Sequence, residues 1–494
     1  LQLLAELNDL RKEERIILEW PQGEKLKISA YANFDQLFMN VRSSGDWFEM
    51  EGELHVNEDK IVDMKELLEL SRNAKGRFLT LDDGSYIALT EQLQKRLQAL
   101  DNMAYSKKDR LTFSKFTGAA FGYLAEDMNL DGDEGWTDFV TRMEESKEKD
   151  FELPTELNAE LRPYQKEGYV WLCRMAWWGA GACLADDMGL GKTVQAIALI
   201  LRRASAGATL VVAPASVCSN WISEMERFAP SLKAYNLSDV EDRTGTIEAM
   251  KANEVLVCTY GLMHQNSDTL HAIKFSTIVL DEAQSIKNRM TKRSQAAMEL
   301  QGDFKLITTG TPIENHLGEL WNLFHFINPG LLGTAAQFQE RYALPIEKWG
   351  DKDRRGQLQN LIRPFVLRRL KRDVLKDLPE KTEITLRVER SDAEETFYEA
   401  LRQRALEKIY AGKFENEGQK QLQILAELMR LRRVCCTPQL IPGGANVPSA
   451  KLEALSELID ELLENNHKAL IFSQFVDYLR IIEKMVKEKG VSYK

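Results

Sequence analysis

LADDMGLGKTVQAIALI, residues 184–200, decides how the rest of the chain is read. Gly191, Lys192 and Thr193 fill the last three places of the phosphate-cradling pattern G-x-x-x-x-G-K-[ST], but the place of its first glycine holds Asp186. GACLA (181–185) reads as a buried strand, DDMGLG as a tight turn, and KTVQAIALILRRA as a helix with one apolar face that runs to Gly207. In a strand, glycine turn and helix of this kind, main-chain N–H groups and the helix N-terminus can surround a polyphosphate. Lys192 then reaches the β- and γ-phosphates, and the Thr193 hydroxyl ligates Mg²⁺. The first glycine lies farthest from the phosphates, so its loss is the least damaging. A bare GKT also arises by chance in glycine-rich turns, and a second motif is needed to decide.

IVLDEAQ, residues 278–284, supplies it. An acidic pair at the end of an apolar strand is what a metal ion and an attacking water require: Asp281 to hold Mg²⁺, Glu282 to polarise the nucleophile. Either residue alone could simply cap the next helix. A phosphate loop and a strand-end DE about ninety residues apart, in one α/β unit, are not both explained that way.

The surrounding texture agrees. ATLVVAP, EVLVCTY, STIVLDEA and FKLITTGTP are continuous apolar runs separated by longer helical stretches, as expected of parallel strands covered on both faces. Polar or glycine-bearing residues follow each run, at the sheet edge where α/β proteins bind ligands. Residues 1–150 read differently, as a small α+β region in which ERIILEW, KLKISAY, WFEMEGELHV and RFLTLDDGSYIAL alternate with helices. The acidic stretch 143–157 containing Pro154 separates the two. A further strand–helix set is expected from TEITLRVE through long charged helices to KALIFSQF.

At 494 residues the chain is long enough for two to four domains. There is no apolar run of membrane-spanning length. Its six cysteines are scattered without a C-x-x-C pair, which favours a reducing compartment and excludes a zinc ribbon. The formal net charge of −11 speaks against general polyanion binding. A local exception is Arg354, Arg355, Arg363, Arg368, Arg369, Lys371, Arg372 and Lys376, opposed only by Asp373 nearby. A solvated helical face is the ordinary reading of such a run.

With these motifs in order, the chain resembles the Swi/Snf-like ATPases of helicase superfamily two, in particular their bacterial members, over about residues 155–494. LRPYQKEGYVWL is similar to the family's adenine-recognition segment and DDMGLGKT to its motif I, in which an acidic residue regularly replaces the first glycine. LVVAPASVCSNWISEMERF and VLVCTYG resemble motifs Ia and Ib, DEAQ motif II, and LITTGTPIENHLGELWNLFHFINPGLLG motif III and its sequel. PFVLRRLKRDVLKDLPEKTE, LMRLRRVCCTPQL and ALIFSQF extend the match into the second lobe. The resemblance implies an N-terminal accessory domain (1–150), a first RecA-like lobe with a helical protrusion (155–380) and the start of a second (381–494). It implies that Arg162 and Gln165 contact ATP, with Gln165 reading adenine. Asp187, Met188, Gly189, Leu190, Gly191, Lys192 and Thr193 would hold the phosphates, Thr193 and Asp281 the Mg²⁺, and Lys192, Asp281 and Glu282 would be catalytic. Gln284, Thr309, Gly310 and Thr311 would couple the nucleotide to DNA. Ser216, Asn220, Thr259, Tyr260, Arg368 and Arg369 would touch the DNA backbone, although Ser, Thr and Asn at strand ends also cap helices, and Arg368 and Arg369 could be ion-pair partners.

The implied protein is a double-stranded-DNA translocase, cytoplasmic and nucleoid-associated, that hydrolyses ATP with Mg²⁺ and displaces or remodels a DNA-bound protein, with no membrane partner. A strand-separating helicase and a nucleotide-gated binding module are the alternatives. The chain begins at Leu1 and reaches Lys494 without the arginine-rich Q-x-x-x-R-x-x-R motif that the family's second lobe contains, so it is expected to be a piece of a longer motor. DMNLDGDEGWTD (127–138) has calcium-loop spacing at Asp127, Asn129, Asp131 and Gly132, but Asp138 stands where a bidentate Glu belongs, so an acidic surface loop is the preferred reading. Trp171, Trp177 and Trp178 are expected to pack in a core or interface.

Overall fold

Continuous apolar strands must be covered on both faces, and a seven-stranded, wholly parallel sheet does this. The computed structural model describes residues 28–493 apart from 46, 58–59, 75, 82–84, 108–109, 118–128, 311–315, 375–381, 413, 415 and 466. Around the sheet the elements are α1 (Pro163–Trp178), β1 (Ala182–Leu184), α2 (Lys192–Arg203), β2 (Thr209–Ala213), α3 (Ala215–Phe228), β3 (Lys233–Asn236), β4 (Glu254–Thr259), β5 (Lys274–Asp281), β6 (Gln301–Thr308), α4 (Leu317–Ile327) and β7 (Val366–Leu367). Strand order is β3-β4-β2-β5-β6-β1-β7. Every residue of β2 is buried, as is all of β5 after its first residue. Ile197, Leu199 and Ile200 of α2 are fully buried, each stabilising the core by about 1.5–3 kcal/mol. Register places Leu184 of β1 beside Thr308 of β6, and Thr308 beside Asp281 of β5. Three neighbouring strands therefore end at one level, and the loops that follow them converge.

Ahead of this sheet, residues 28–149 form two smaller sheets around their own core. One pairs Ile28–Ala32, Tyr86–Leu89 and Phe78–Thr80; the other is a six-stranded sheet centred on Leu37–Ser44 and Trp47–Asn57. Alternating burial along Leu37–Ser44 turns Leu37, Met39 and Val41 inward. The helices Met64–Asn73 and Glu91–Met103 add Leu67, Leu68, Leu93, Leu97 and Leu100 to the same core. ERIILEW lies outside the described residues. Of the calcium-loop spacing, Asp127 also lies outside them. Asn129, Asp131 and Gly132 belong to a strand paired with Leu37–Ser44, and Asp133 caps the next helix through Trp136 N–H. No cluster of metal-ligating side chains occurs among the described residues.

This α+β region is docked on the parallel-sheet region. Tyr105 Oη donates to Leu331 O (3.4 Å), Arg341 Nη2 to Ala104 O (3.3 Å), and Trp47 lies where a Cβ on Gly330 would stand. A cavity of about 730 Å³ at this junction is lined by Trp47, Tyr105, Lys305 and His325. Trp178 is buried and stacks on Phe365 at 5.5 Å, as core packing predicts, while Trp177 remains 45% exposed beneath the Lys149 ammonium.

Pro379–Lys494 form a separate unit. Its described residues contain the helices Asp392–Ala411, Glu417–Val434, Ala450–Glu464 and Val476–Glu488. Among those residues no strand is formed: neither TEITLRVE nor KALIFSQF has ladder partners, and Ile384, Leu386, Leu470 and Phe472 are exposed. The expected strand–helix alternation is therefore met here only in its helical half. Alternating apolar residues make a strand only where a neighbouring strand takes up their N–H and C=O groups. No described helix is long and apolar enough to cross a membrane.

Candidate nucleotide site

The turn after β1 owes its shape to two glycines. Gly189 (φ 83°) and Gly191 (φ 75°) occupy the left-handed region. At Gly191 a Cβ would come within 2.4 Å of Gln165 Nε2, the movable end of a flexible side chain, so it is the positive φ that calls for glycine here. Helix α2 begins directly at Lys192, with Gly191 as its N-cap and no side chain over its first N–H groups. Lys192 Nζ donates to the main-chain oxygens of Asp186 (2.7 Å) and Asp187 (3.4 Å), where it has no carboxylate among the described residues to give up. An anion in the loop gives that ammonium a stronger acceptor than a carbonyl. The first turn of a helix without a side-chain cap, a lysine held only by carbonyls and a Thr193 hydroxyl beside it fit a Mg²⁺-polyphosphate.

The acidic pair stands at the end of β5. Asp281 is buried, and its carboxylate accepts from Trp221 Nε1 (2.9 Å), Thr308 Oγ1 (2.6 Å) and the Glu282 N–H (3.0 Å). These donors fix the carboxylate and compensate its burial. Burial, with the Asp281 charge as the lesser cause, raises the Cys218 thiol and the Glu224 carboxyl above their ordinary pKa values. Glu282 is one of two non-glycine residues with positive φ (48°) among the described residues. Gln284 Nε2 donates to Glu282 Oε2 (2.9 Å), and Thr309 Oγ1 to Gln284 Oε1 (3.4 Å). A hydrogen-bonded chain thus runs from the end of β6 to Glu282. Gly310, next in the chain, packs close to the loop: a Cβ there would lie 3.2 Å from Met188 Cγ. Thr311 lies outside the described residues.

At the other side of the loop the Gln165 amide accepts from Arg162 N–H (2.9 Å) and donates to Leu190 O (3.1 Å). The amide keeps one further acceptor position on Oε1 and one further hydrogen on Nε2. Arg162 is exposed.

The expected DNA-contact residues divide. Ser216 and Asn220 are exposed, four residues apart on one face of α3. Thr259 caps a helix, accepting from Leu262 N–H (3.1 Å). Tyr260 is corrected: it is buried, donates to Asp281 O (2.8 Å), and is held from ionising by burial and the Asp281 charge. Arg368 is exposed. Of the two readings of Arg369, phosphate contact and ion pair, the structure forms the ion pair. Its side chain is 13% exposed, and its guanidinium is taken up by fully buried Asp186 (Nη2 to Oδ2, 2.5 Å). Lys376 lies outside the described residues. Trp221 and Gln195 are structural parts of the site that the motifs did not single out; a tryptophan in the helix after a strand carries no sign that it will meet a carboxylate.

A loop shaped for a polyphosphate, an acidic pair at a neighbouring strand end and a hydrogen-bonded turn between them make up a candidate nucleotide site on an α/β domain. The family model of the SNF2-related domain matches residues 164–440, and the chain belongs to this family. It is 40% identical over 341 residues to the Bacillus subtilis protein YwqA, whose name describes an ATP-dependent helicase/translocase; the match covers 66% of this chain and 37% of that one. It is 33% identical over 362 residues to the Arabidopsis thaliana ISWI chromatin-remodeling complex ATPase CHR17, covering 69% and 33%. A solved Sulfolobus solfataricus SWI2/SNF2 ATPase core in complex with dsDNA is 35% identical, covering 69% of this chain and 73% of that one at a TM-score of 0.44. The chain spans about a third of the length of the curated relatives it matches.

Proposed function

We propose that this chain is the ATP-hydrolysing part of a motor that translocates on double-stranded DNA and displaces proteins bound there. The observation that carries the reading is the alignment of Leu184, Thr308 and Asp281 at one level of the sheet. It brings the phosphate loop, the coupling turn and the acidic pair to one edge. ATP with Mg²⁺ supplies a transferable phosphoryl group there. Lys192 and the first N–H groups of α2 would hold the phosphates, Thr193 and Asp281 the metal, and Glu282 would take the proton of the attacking water. The chain Glu282–Gln284–Thr309 lets a change at the base move the turn after β6, which is the route from nucleotide to DNA. Exposed Ser216, Asn220 and Arg368 are the groups available to backbone phosphates. The names of the relatives support the same reading.

The test is the ATPase rate of the intact protein alone and with duplex DNA, single-stranded DNA or RNA. Stimulation of tenfold or more by duplex, with little from the other two, is expected. Equal stimulation by RNA or by single strands would favour a strand-separating helicase, and binding without turnover a nucleotide-gated module.

A further inference from the structure

The chain leaving the parallel-sheet region turns back over the phosphate loop before it enters the second unit. After β7, whose Leu367 O accepts from Ala185 N–H (2.7 Å), Arg369 meets the first residue of the loop. Asp186 accepts from Arg369 N–H (3.0 Å), Nε (3.0 Å) and Nη2 (2.5 Å). The rest of the guanidinium donates to Gln195 Oε1 (2.9 Å) and to Tyr164 O. A Cβ on Gly168 would lie 2.7 Å from Nη2, so α1 is cut away to admit it. The main chain is tied as well: Asp187 N–H donates to Arg369 O (3.0 Å), and Lys371 N–H to Asp187 Oδ2 (2.9 Å). A bidentate, buried arginine pair with main-chain bonds on both sides leaves this segment little freedom.

Its consequence is the position of Lys371. The ammonium lies 3.4 Å from where a Cβ on Gly189 would stand, over the middle of the loop. Lys371 is exposed and has no carboxylate partner among the described residues. An exposed ammonium over the glycine of a phosphate loop, with no carboxylate bonded to it among the described residues, is placed for an anion. We propose that Lys371 is a second phosphate-binding lysine, brought to the loop by the Asp186–Arg369 pair, so that the segment leading to the second unit registers nucleotide occupancy. This also gives Asp186 a task that glycine cannot perform. The inference rests on the nucleotide-site reading above.

The test is titration of the intact protein with a fluorescent ATP analogue and Mg²⁺, together with hydrogen exchange over residues 366–374. Lys371→Gln should weaken binding roughly five- to tenfold, one exposed charge-assisted contact, without changing the melting temperature of the nucleotide-free protein. Lys371→Arg should restore most of the affinity. Nucleotide should slow exchange over 366–374 in the unmodified protein and not in Lys371→Gln. Arg369→Gln should reproduce the affinity loss and also lower stability; if it does not fold, the exposed Lys371 variants still decide. Lys371→Gln binding as tightly as the unmodified protein, while Lys192→Ala does not bind, would overturn the inference. Failure of the unmodified protein to bind nucleotide would overturn the site reading and the inference with it.

Discussion

Glu282 is held in a left-handed conformation (φ 48°, ψ 56°) between β5 and a 3₁₀ turn. For a residue with a Cβ this costs about 1–2 kcal/mol. Glu282→Ala should lose the hydrogen bond from Gln284, worth about 0.5–1.5 kcal/mol, and keep the strain. Glu282→Gly loses the same bond and sheds the strain, but costs about 0.5–1 kcal/mol in unfolded-chain entropy. The glycine variant is therefore expected to be the more stable of the two by about 0.5–1 kcal/mol, a shift of about 1–3 °C in melting temperature. At ordinary positions the order is reversed. Buried Trp221, bonded to Asp281, supplies the fluorescence signal for paired melting curves. Glu282→Gln should melt like the unmodified protein and bind ATP normally. All three variants should hydrolyse ATP slower by orders of magnitude. An alanine variant at least as stable as the glycine one would refute the strain argument, and unimpaired hydrolysis in any of the three would refute the role of Glu282.

Other outcomes follow from single side chains. Arg368→Ala should lower the salt slope of duplex binding by about 0.9, the contribution of one phosphate contact. Arg369→Ala should leave that slope unchanged and destabilise the fold by about 3–5 kcal/mol, because Asp186 is left buried and unpaired; binding measured between 50 and 200 mM salt, with melting curves, separates the two. Burial beside the junction cavity lowers the Lys305 pKa to about 8. Its folded pKa lies below its unfolded one, so the destabilisation is full below pH 8 and is relieved as pH rises toward about 10.4. Lys305→Met should therefore raise stability by about 1–2 kcal/mol at pH 7 and by much less at pH 10; a gain independent of pH would contradict this.

Much of the nucleotide edge was legible because its signals are local. Apolar runs too continuous to alternate give parallel strands, and Gly189, Gly191, Lys192, Asp281 and Glu282 lie at or just after the strand ends that those runs locate. What was not legible depends on contacts distant in sequence. Two-residue β7 has no periodicity to read, yet its pairing with β1 delivers Arg369 to Asp186. The acid in place of the first loop glycine was the one visible sign that a cation had to meet it. Tyr260 reads as a polar strand-end residue, and only the fold carries it beneath Asp281. TEITLRVE and KALIFSQF carry strand patterns, but pattern alone does not supply a paired neighbour.

A motor driven along duplex DNA by ATP strips off what the duplex carries, so the decisive assay is displacement, by the intact protein, of a third strand paired in the major groove of an otherwise intact duplex. Release is expected to require ATP and Mg²⁺, to be abolished in Lys192→Ala and Glu282→Gln, and to leave the two duplex strands paired. ATP hydrolysis without release of the third strand, or separation of the duplex itself, would contradict that expectation.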